Sequence, residues 1–343
     1  MTTLAEYKYL GNDSTVRMGI VLTAIKESPW LRDLPFVELE NNNISKYKME
    51  VSDGGASLHE VGDAWSTLNP TWEAREAELA ILGDNVDDDA FGNFAAGGEN
   101  TMAAKIELKS KGVAQTFDKI AIYGRTTSTA ALSSSKAFKG LLRLIAEAES
   151  STTTDLDGYV YNTDSDAAHN PQVLFGASGA STALTLPMLI ALREAVRPKP
   201  THLIMSRMTR SHVETLAQAA GQNLHIGKDE LLGEIVVRFG EQIVLIDDQI
   251  KNNMNDSSTL VTAIASYDYD QTATTAKDIE PIFAVRMAED GLCGINGVGL
   301  IQVEDLGILE SKDAKGKRIK FYCGMRLTNK RAAAVLLNTN TAG

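Results

Sequence analysis

The sequence predicts an α+β protein, and three observations support that prediction. Segment 99–123 places its apolar residues on a single stripe at helical spacing, which indicates a long amphipathic helix. Segment 44–51 alternates apolar and polar residues and stops before a glycine pair, and a second run at 72–82 follows an Asn-Pro break, so the two indicate a long β-hairpin. The last third of the chain is mostly strand-like, with glycines as punctuation.

Composition narrows the classes of function. The 343 residues suffice for two or three folding units at roughly 100–200 residues each. A net charge of −12 without a cluster of basic residues argues against tight, sequence-specific nucleic-acid binding. Cys293 and Cys323 form no disulfide framework or zinc spacing, which predicts a reducing compartment. The first residues lack a secretory signal, and the longest uncharged stretch, 167–192, is broken by Pro and Gly and does not predict a membrane span.

The first forty residues predict an arm that ends at the turn-prone Asn41-Asn42-Asn43. The hairpin that follows has a tip of roughly 15 residues between Asp53 and Asn69 and little core of its own, so it needs a partner surface. Trp65 near the tip is a candidate anchor on a neighbouring subunit, with burial against its own hairpin as the alternative.

Beyond the hairpin, helix signals alternate with short apolar runs. Pro187 in a first turn and Ser206 before an amphipathic segment are helix-start signals. The predicted elements after the long helix are a helix capped by Ser135 and ending near Ala148, a polar tract at 150–157, a helix at 185–196, a strand at 202–205, a helix from Ser206 to Gly221, a hairpin at 234–239 and 242–246, and strands at 260–265, 282–287, 298–303 and 318–327.

No segment of the sequence has the residue spacing that a known catalytic motif requires. The segment 221–228 resembles a phosphate loop, but five residues separate its glycines and Asp229 stands where Ser or Thr is needed. The glycines between 291 and 299 lie among late strands, so they predict bends in extended structure. The five histidines show no metal-binding spacing, and there is no nucleophile elbow. No catalytic, cofactor-binding or metal-binding residue is therefore assigned, and the chain is predicted not to be an enzyme.

An acidic segment suggests the one alternative function that is enzymatic, a metal-dependent enzyme. Its members are Asp84, Asp87, Asp88 and Asp89. A calcium loop would need an oxygen ligand at Val86 and a glutamate at Ala95, so a solvated turn is favoured over the metal site of a metal-dependent enzyme. Asp247 and Asp248 are adjacent and face opposite sides, which indicates a strand end rather than a carboxylate pair.

An arm, an unsupported hairpin, a long helix and no catalytic constellation together indicate a protein built for association. The order of these elements resembles the Hong Kong 97-like major capsid proteins of tailed bacteriophages, whose fold is shared with encapsulins. The resemblance covers nearly the whole chain. The segments that carry it, in addition to the arm, hairpin and long helix, are 136–149, 201–206, 238–247, 319–327 and 332–337.

The resemblance implies a division of the chain into parts. By analogy, residues 1–41 are an N-terminal arm, 42–83 an extended loop and 99–123 a spine helix, which belongs to a peripheral domain. That domain comprises 84–176 and 277–343, and an axial domain comprises 177–276. The segment 279–313 is longer than the family pattern, which suggests an insertion.

The resemblance also implies a function: a capsid protein that assembles as pentamers and hexamers into an icosahedral virion shell around double-stranded DNA. Assembly would take place in the host cytoplasm, with a portal, a separately encoded scaffolding protein and, as an option, a decoration protein. The scaffold is expected because the arm is too short to contain one. No cofactor and no membrane are implied. The alternative in the same class is an encapsulin-like compartment.

In the type member of that family, a lysine of the extended loop bonds covalently to an asparagine of a neighbouring subunit. Here the tip at 53–69 contains no lysine, and Lys46 and Lys48 lie on the ascending strand. Asn338 and Asn340 could offer amides, but no nucleophile is expected within reach. The sequence therefore predicts a shell held together without covalent links.

Overall fold

The structure is a computed structural model. It describes residues 2–3, 23–24, 26–39, 43–52, 54–65, 67–89, 101–124, 136–149, 172–175, 182–219, 221, 225–228, 235–250, 281–309, 313–337 and 339–340. Most of the predicted arm, the polar tract at 150–157 and the predicted strand at 260–265 lie outside these residues.

The described residues contain both helices and strands, and most strands follow one another in runs instead of alternating with helices, as expected for an α+β protein. The helices are α1 (Pro29–Asp33), α2 (Thr101–Tyr123), α3 (Leu141–Glu149), α4 (Leu186–Ala195) and α5 (Arg207–Ala219). The strands are β1 (Thr2–Thr3), β2 (Pro35–Glu38), β3 (Ile44–Ser52), β4 (Thr71–Glu78), β5 (Ala80–Asp89), β6 (Val173–Phe175), β7 (Thr182–Ala183), β8 (His202–Met205), β9 (His225–Lys228), β10 (Ile235–Phe239), β11 (Gln242–Ile246), β12 (Ile282–Val285), β13 (Leu292–Ile308), β14 (Ala314–Leu327), β15 (Ala333–Leu337) and β16 (Thr339–Asn340). None of these helices has the length and apolar content needed to cross a membrane.

A five-stranded sheet in the order β1-β2-β13-β14-β5 forms one layer. Its centre is the long antiparallel pair β13 and β14, with β2 added in parallel to β13. The register of β13 against β14 shifts between Asn296 and Ile301, where Gly297 and Gly299 lie. The glycine run is thus an irregular stretch of strand, which confirms the predicted bends.

A seven-stranded sheet in the order β6-β15-β12-β8-β11-β10-β9 is covered on both faces. All four residues of β8 and all four of β12 are buried, as expected for strands covered on both sides. Alternate residues point to opposite cores. Leu203 and Ile282 pack with the apolar residues of α4 and α5, whereas Ile204 and Phe283 join the core that contains α2 and α3.

Helix α2 packs on the five-stranded sheet through aromatic contacts. Its fully buried Phe117 lies with its ring centroid 5.6 Å from Phe321 of β14 and 5.5 Å from Phe138, which precedes α3. Phe36 of β2 completes the group, 6.3 Å from both Phe117 and Phe321. Rings at these separations bury large apolar areas, so this cluster stabilises the folded chain.

Several sequence predictions are confirmed at the level of single elements. The long helix spans Thr101–Tyr123, and Thr185 occupies the N-cap position of α4. Ser206 caps α5, because its hydroxyl accepts a hydrogen bond from the Thr209 amide at 3.1 Å. The predicted turn at Gly240 joins β10 to β11 at a positive φ of 65°.

Several predicted elements are wrong in their bounds, such as the strand predicted at 298–303, which spans Leu292–Ile308 as β13. The helix expected to start at Ser135, which lies outside the described residues, begins at Leu141. The chain at Gly140 passes so close to the end of α2 that a Cβ there would lie 2.4 Å from the Gly124 nitrogen, so the helix starts only after this crossing. The run 72–82 is two strands, because β4 ends at Glu78 and β5 pairs with β14 instead of β3.

Candidate interaction site

The tip of the β3–β4 hairpin, residues 54–70, presents large apolar side chains to solvent. Trp65 is 84% exposed, so it is not buried against its own hairpin as the alternative interpretation required. Leu58 and Val61 are fully exposed, and Leu68 is half exposed. Isolated exposed apolar residues are common, but a group of this size within one short segment marks an interaction surface.

Local contacts order this tip without covering its apolar side chains. The Trp65 ring lies 4.6 Å from the ring of His59, whose Nε2 is 2.8 Å from the Ser57 hydroxyl. The two ends of the tip cross at Gly54, which has a positive φ of 77° and where a Cβ would lie 2.9 Å from the backbone of Asn69. A larger residue would therefore force the ends apart.

The base of the hairpin, by contrast, packs on the body of the same chain. Met49 is 2% exposed, and burial raises the pKa of Tyr47 to about 12 even though its hydroxyl bonds to the backbone and Arg75 lies nearby. The Arg326 guanidinium from β14 lies over the Tyr47 ring at 6.0 Å and donates to the Ser45 hydroxyl at 3.2 Å. Among the described residues, the predicted partner surface is thus intramolecular at the base, and the apolar side chains of the tip have no such cover.

A second arginine joins the hairpin base to helix α3. Arg75 of β4 donates from Nη2 to the carbonyl oxygen of Glu147 at 2.8 Å. The Glu147 carboxylate accepts hydrogen bonds from Lys139 at 2.7 Å and from Arg143 at 2.6 Å. Burial opposes ionisation of Glu147, but these two cations outweigh it and lower its pKa.

Two buried carboxylates interact where α1, α2 and the seven-stranded sheet meet. Asp118 of α2 is 3% exposed and accepts a hydrogen bond from the Ser28 hydroxyl. Asp247, directly after β11, is 1% exposed and accepts from the Trp30 indole at 2.6 Å. Burial raises the pKa of both groups, and the charge of Asp247 raises that of Asp118 further. The pair therefore retains a proton at pH values where a solvated aspartate has lost it.

Solved structures match this arrangement over almost its whole length, although the sequence matches no protein-family model and no curated protein. The holo-SrpI encapsulin complex from Synechococcus elongatus superposes with a TM-score of 0.61 at 14% identity, over 92% of this chain and 89% of that chain. The capsid of a native GTA particle gives 0.55 at 12% identity, over 96% and 92%. A structure from Mycobacterium phage Bobi gives 0.51 at 14% identity, over 90% of each chain.

The chain has the Hong Kong 97-like fold. The predicted fold class is confirmed, because the likeness covers about nine-tenths of both chains in each comparison and so involves the whole order of elements.

The acidic segment of this Hong Kong 97-like chain is not the solvated turn that the sequence favoured. Asp84, Asp87, Asp88 and Asp89 all lie on strand β5. Asp88 is buried and accepts a hydrogen bond from Lys105 of α2 at 2.6 Å. Asp84 accepts one from Lys109, which lowers its pKa. These carboxylates fasten α2 to the sheet, and within the described residues no group of three or more His, Cys, Asp or Glu side chains could hold a metal ion.

Adjacent Asp247 and Asp248 do mark a strand end, as predicted. Asp248 faces solvent and pairs with Arg207 at 2.7 Å, while its neighbour is buried. The electrostatic interaction between Asp247 and Asp118 was not predicted, since it involves residues from distant segments of the Hong Kong 97-like fold. The signal that could have found it is an isolated acid, Asp118, on the apolar stripe of α2.

Proposed function

We propose that the chain is the major capsid protein of a tailed bacteriophage, a structural subunit without catalytic activity. The observation that carries this proposal is the hairpin, whose base is docked on its own body while Leu58, Val61 and Trp65 at the tip are exposed. A neighbouring copy that covers these side chains would supply an interface, and a closed shell repeats that interface many times. The Hong Kong 97-like fold supports the same conclusion.

The parts of the chain follow the family division under this proposal. Residues 1–41 are the arm, 42–83 the extended loop, 84–176 with 277–343 the peripheral domain, and 177–276 the axial domain. The two domains share the seven-stranded sheet, to which the peripheral ranges contribute β6, β12 and β15. The tip of the loop lies across a neighbouring subunit. The subunits form pentamers and hexamers, which close an icosahedral shell.

The shell encloses double-stranded DNA without reading its sequence. A net charge of −12 supports this role, because an acidic inner wall would not trap the duplex. The shell belongs to the virion and assembles in the host cytoplasm. Its partners are a separately encoded scaffolding protein, a portal and, as an option, a decoration protein.

The proposal is tested by expressing the chain alone and together with the neighbouring genes of its locus. Light scattering and electron microscopy should find closed particles of megadalton mass when the scaffold is present, and aberrant particles or none without it. Only small oligomers in both arms would refute the shell. Uniform full-size shells from the chain alone would refute the separate scaffold and leave the shell intact.

A second candidate is an encapsulin-like compartment loaded with enzyme cargo. The likeness to the SrpI encapsulin favours it, since that superposition covers about nine-tenths of each chain. The contents of purified particles separate the two candidates. Packaged double-stranded DNA supports the phage shell, whereas a protein cargo without DNA supports the compartment.

A further inference from the structure

The hairpin is attached to the body by a backbone bridge from Glu50 to Thr328 and Asn329 and by two arginines that reach in opposite directions. Arg326 of the body reaches the hairpin at Ser45 and Tyr47 on β3. Arg75 of the hairpin reaches the body at Glu147 on α3. Tyr47 and Arg75 are directly paired across the two strands, so both contacts act at one level of the hairpin.

Arg75 bonds a carbonyl oxygen in the last turn of helix α3. The last four carbonyl groups of a helix lack partners within the helix, and a cation beside them is stabilised by the helix dipole. Helix α3 ends at Glu149 and carries no basic residue in its own last turn. Arg75 supplies that cation, with its guanidinium 2.8 Å from the Glu147 carbonyl oxygen and 4.0 Å from the Glu147 carboxylate.

The surroundings make this contact rigid. The Arg75 side chain is 19% exposed, and a further bond to Glu73 at 2.9 Å holds it from its own strand. Glu147 cannot turn away easily, because Lys139 and Arg143 fix its carboxylate. A planar guanidinium between fixed acceptors allows less angular freedom than a flexible ammonium group would.

We infer that Arg75 is a positioning residue that sets the angle of the hairpin against α3 and thereby the curvature of the shell. The curvature part of this inference rests on the proposed function. From Arg75 to the end of β4 at Thr71 the strand rises about 13 Å, and the apolar tip extends beyond it, so a small rotation at the base displaces the tip by a larger distance.

The experiment measures the angle in unassembled subunits. Spin labels are attached to a chain that carries both Glu60→Cys at the tip and Gln115→Cys on the exposed side of α2. Pulsed electron paramagnetic resonance then measures the distance between the two labels. Both native cysteines are buried. With Arg75→Met we expect a roughly twofold broader distance distribution than in the parent. Lys46→Met is the matched control, because it removes an ion pair with Glu76 from the exposed side of the same hairpin.

An unchanged distribution in Arg75→Met, or equal broadening in Lys46→Met, would overturn the inference. If Arg75→Met fails to fold, Arg75→Lys keeps the charge without the fork geometry and is judged by the same criterion. Particle diameters from the same variants test curvature, and a broadened angle with a uniform parental diameter would overturn that part. A parent that forms no particles even when expressed with the neighbouring genes of its locus would refute the proposed function, while the angle measurement would still stand.

Discussion

The hairpin tip and the junction of α1, α2 and the seven-stranded sheet distribute polar and apolar groups in opposite ways. At the tip, Trp65 and its apolar neighbours face solvent. At the junction, Asp118 and Asp247 are buried and bonded to Ser28 and Trp30. One region exposes what a folded chain normally buries, and the other buries what it normally exposes.

This contrast separates two requirements. The junction satisfies its polar groups within one chain, so it serves the fold of the subunit. The apolar groups of the tip find no cover among the described residues, so under the proposed function the tip serves a contact with another copy. Changes at the tip should therefore alter assembly without altering stability, and changes in the core should do the reverse.

The largest expected effect is on stability, from Phe117→Ala in the aromatic cluster beside the junction. Deleting a fully buried phenyl ring leaves a cavity and should cost about 3–5 kcal/mol of unfolding free energy. Urea unfolding of the isolated subunit measures it. A loss below about 1 kcal/mol would mean that this cluster does not stabilise the packing of α2 on the five-stranded sheet.

Trp65→Ala should have the next largest effect, on assembly alone. A central tryptophan often contributes about 2 kcal/mol or more to an interface, about a thirtyfold change at each contact. We expect an unchanged melting temperature and far fewer closed shells on electron micrographs. Leu108→Ala is the control, since Leu108 is exposed on α2, away from the tip. A Trp65→Ala chain that assembles like the parent would break the contrast between the two regions.

The elements around these regions were largely predictable, because helices and strands leave periodic signals. The stripe of α2, the strand at His202–Met205 and the Ser206 cap all follow from local spacing. The start of α3 did not, because it depends on a backbone crossing with Gly124 that only the folded chain brings together. The split between β4 and β5 likewise depends on the choice of strand partner.

The site was predictable only in part. Trp65 was found because the hairpin and its turn residues are contiguous in sequence. Two hydrogen bonds were not predicted: Arg75 donates to Glu147 and Trp30 donates to Asp247, and both join residues far apart in the sequence. Single side chains without a period carry no signal of their partners, so contacts of this kind need the structure.

The two buried acids, Asp118 and Asp247, should make the unfolding free energy depend on pH. Because the pKa values of Asp118 and Asp247 are raised in the folded chain, the folded state binds protons more tightly than the unfolded state. Stability should therefore fall as pH rises above about 4, through the raised pKa values. Asp247→Asn keeps an oxygen for the Trp30 indole and removes the charge, so its unfolding free energy should depend less on pH in the range above about 4.

Urea unfolding across that range measures the slope for this variant and for Glu241→Gln, an exposed acid that serves as the control. The control should keep the slope of the parent. Equal slopes in the parent and in Asp247→Asn would show that the acid pair does not bind the extra proton.

The last prediction is that boiling mature particles in detergent with reductant separates them completely into single chains, with no covalently linked multiples. A covalent link from the tip would need a lysine amine there, and residues 54–69 contain no lysine. Lys48 precedes the end of β3 by four residues, about 13 Å, and Lys46 lies further back in an ion pair with Glu76. A single band near 37.0 kDa should result, the mass of one chain. A ladder of multiples would mean that the tip, or a residue outside the described ranges, does more than bury apolar surface on its neighbour.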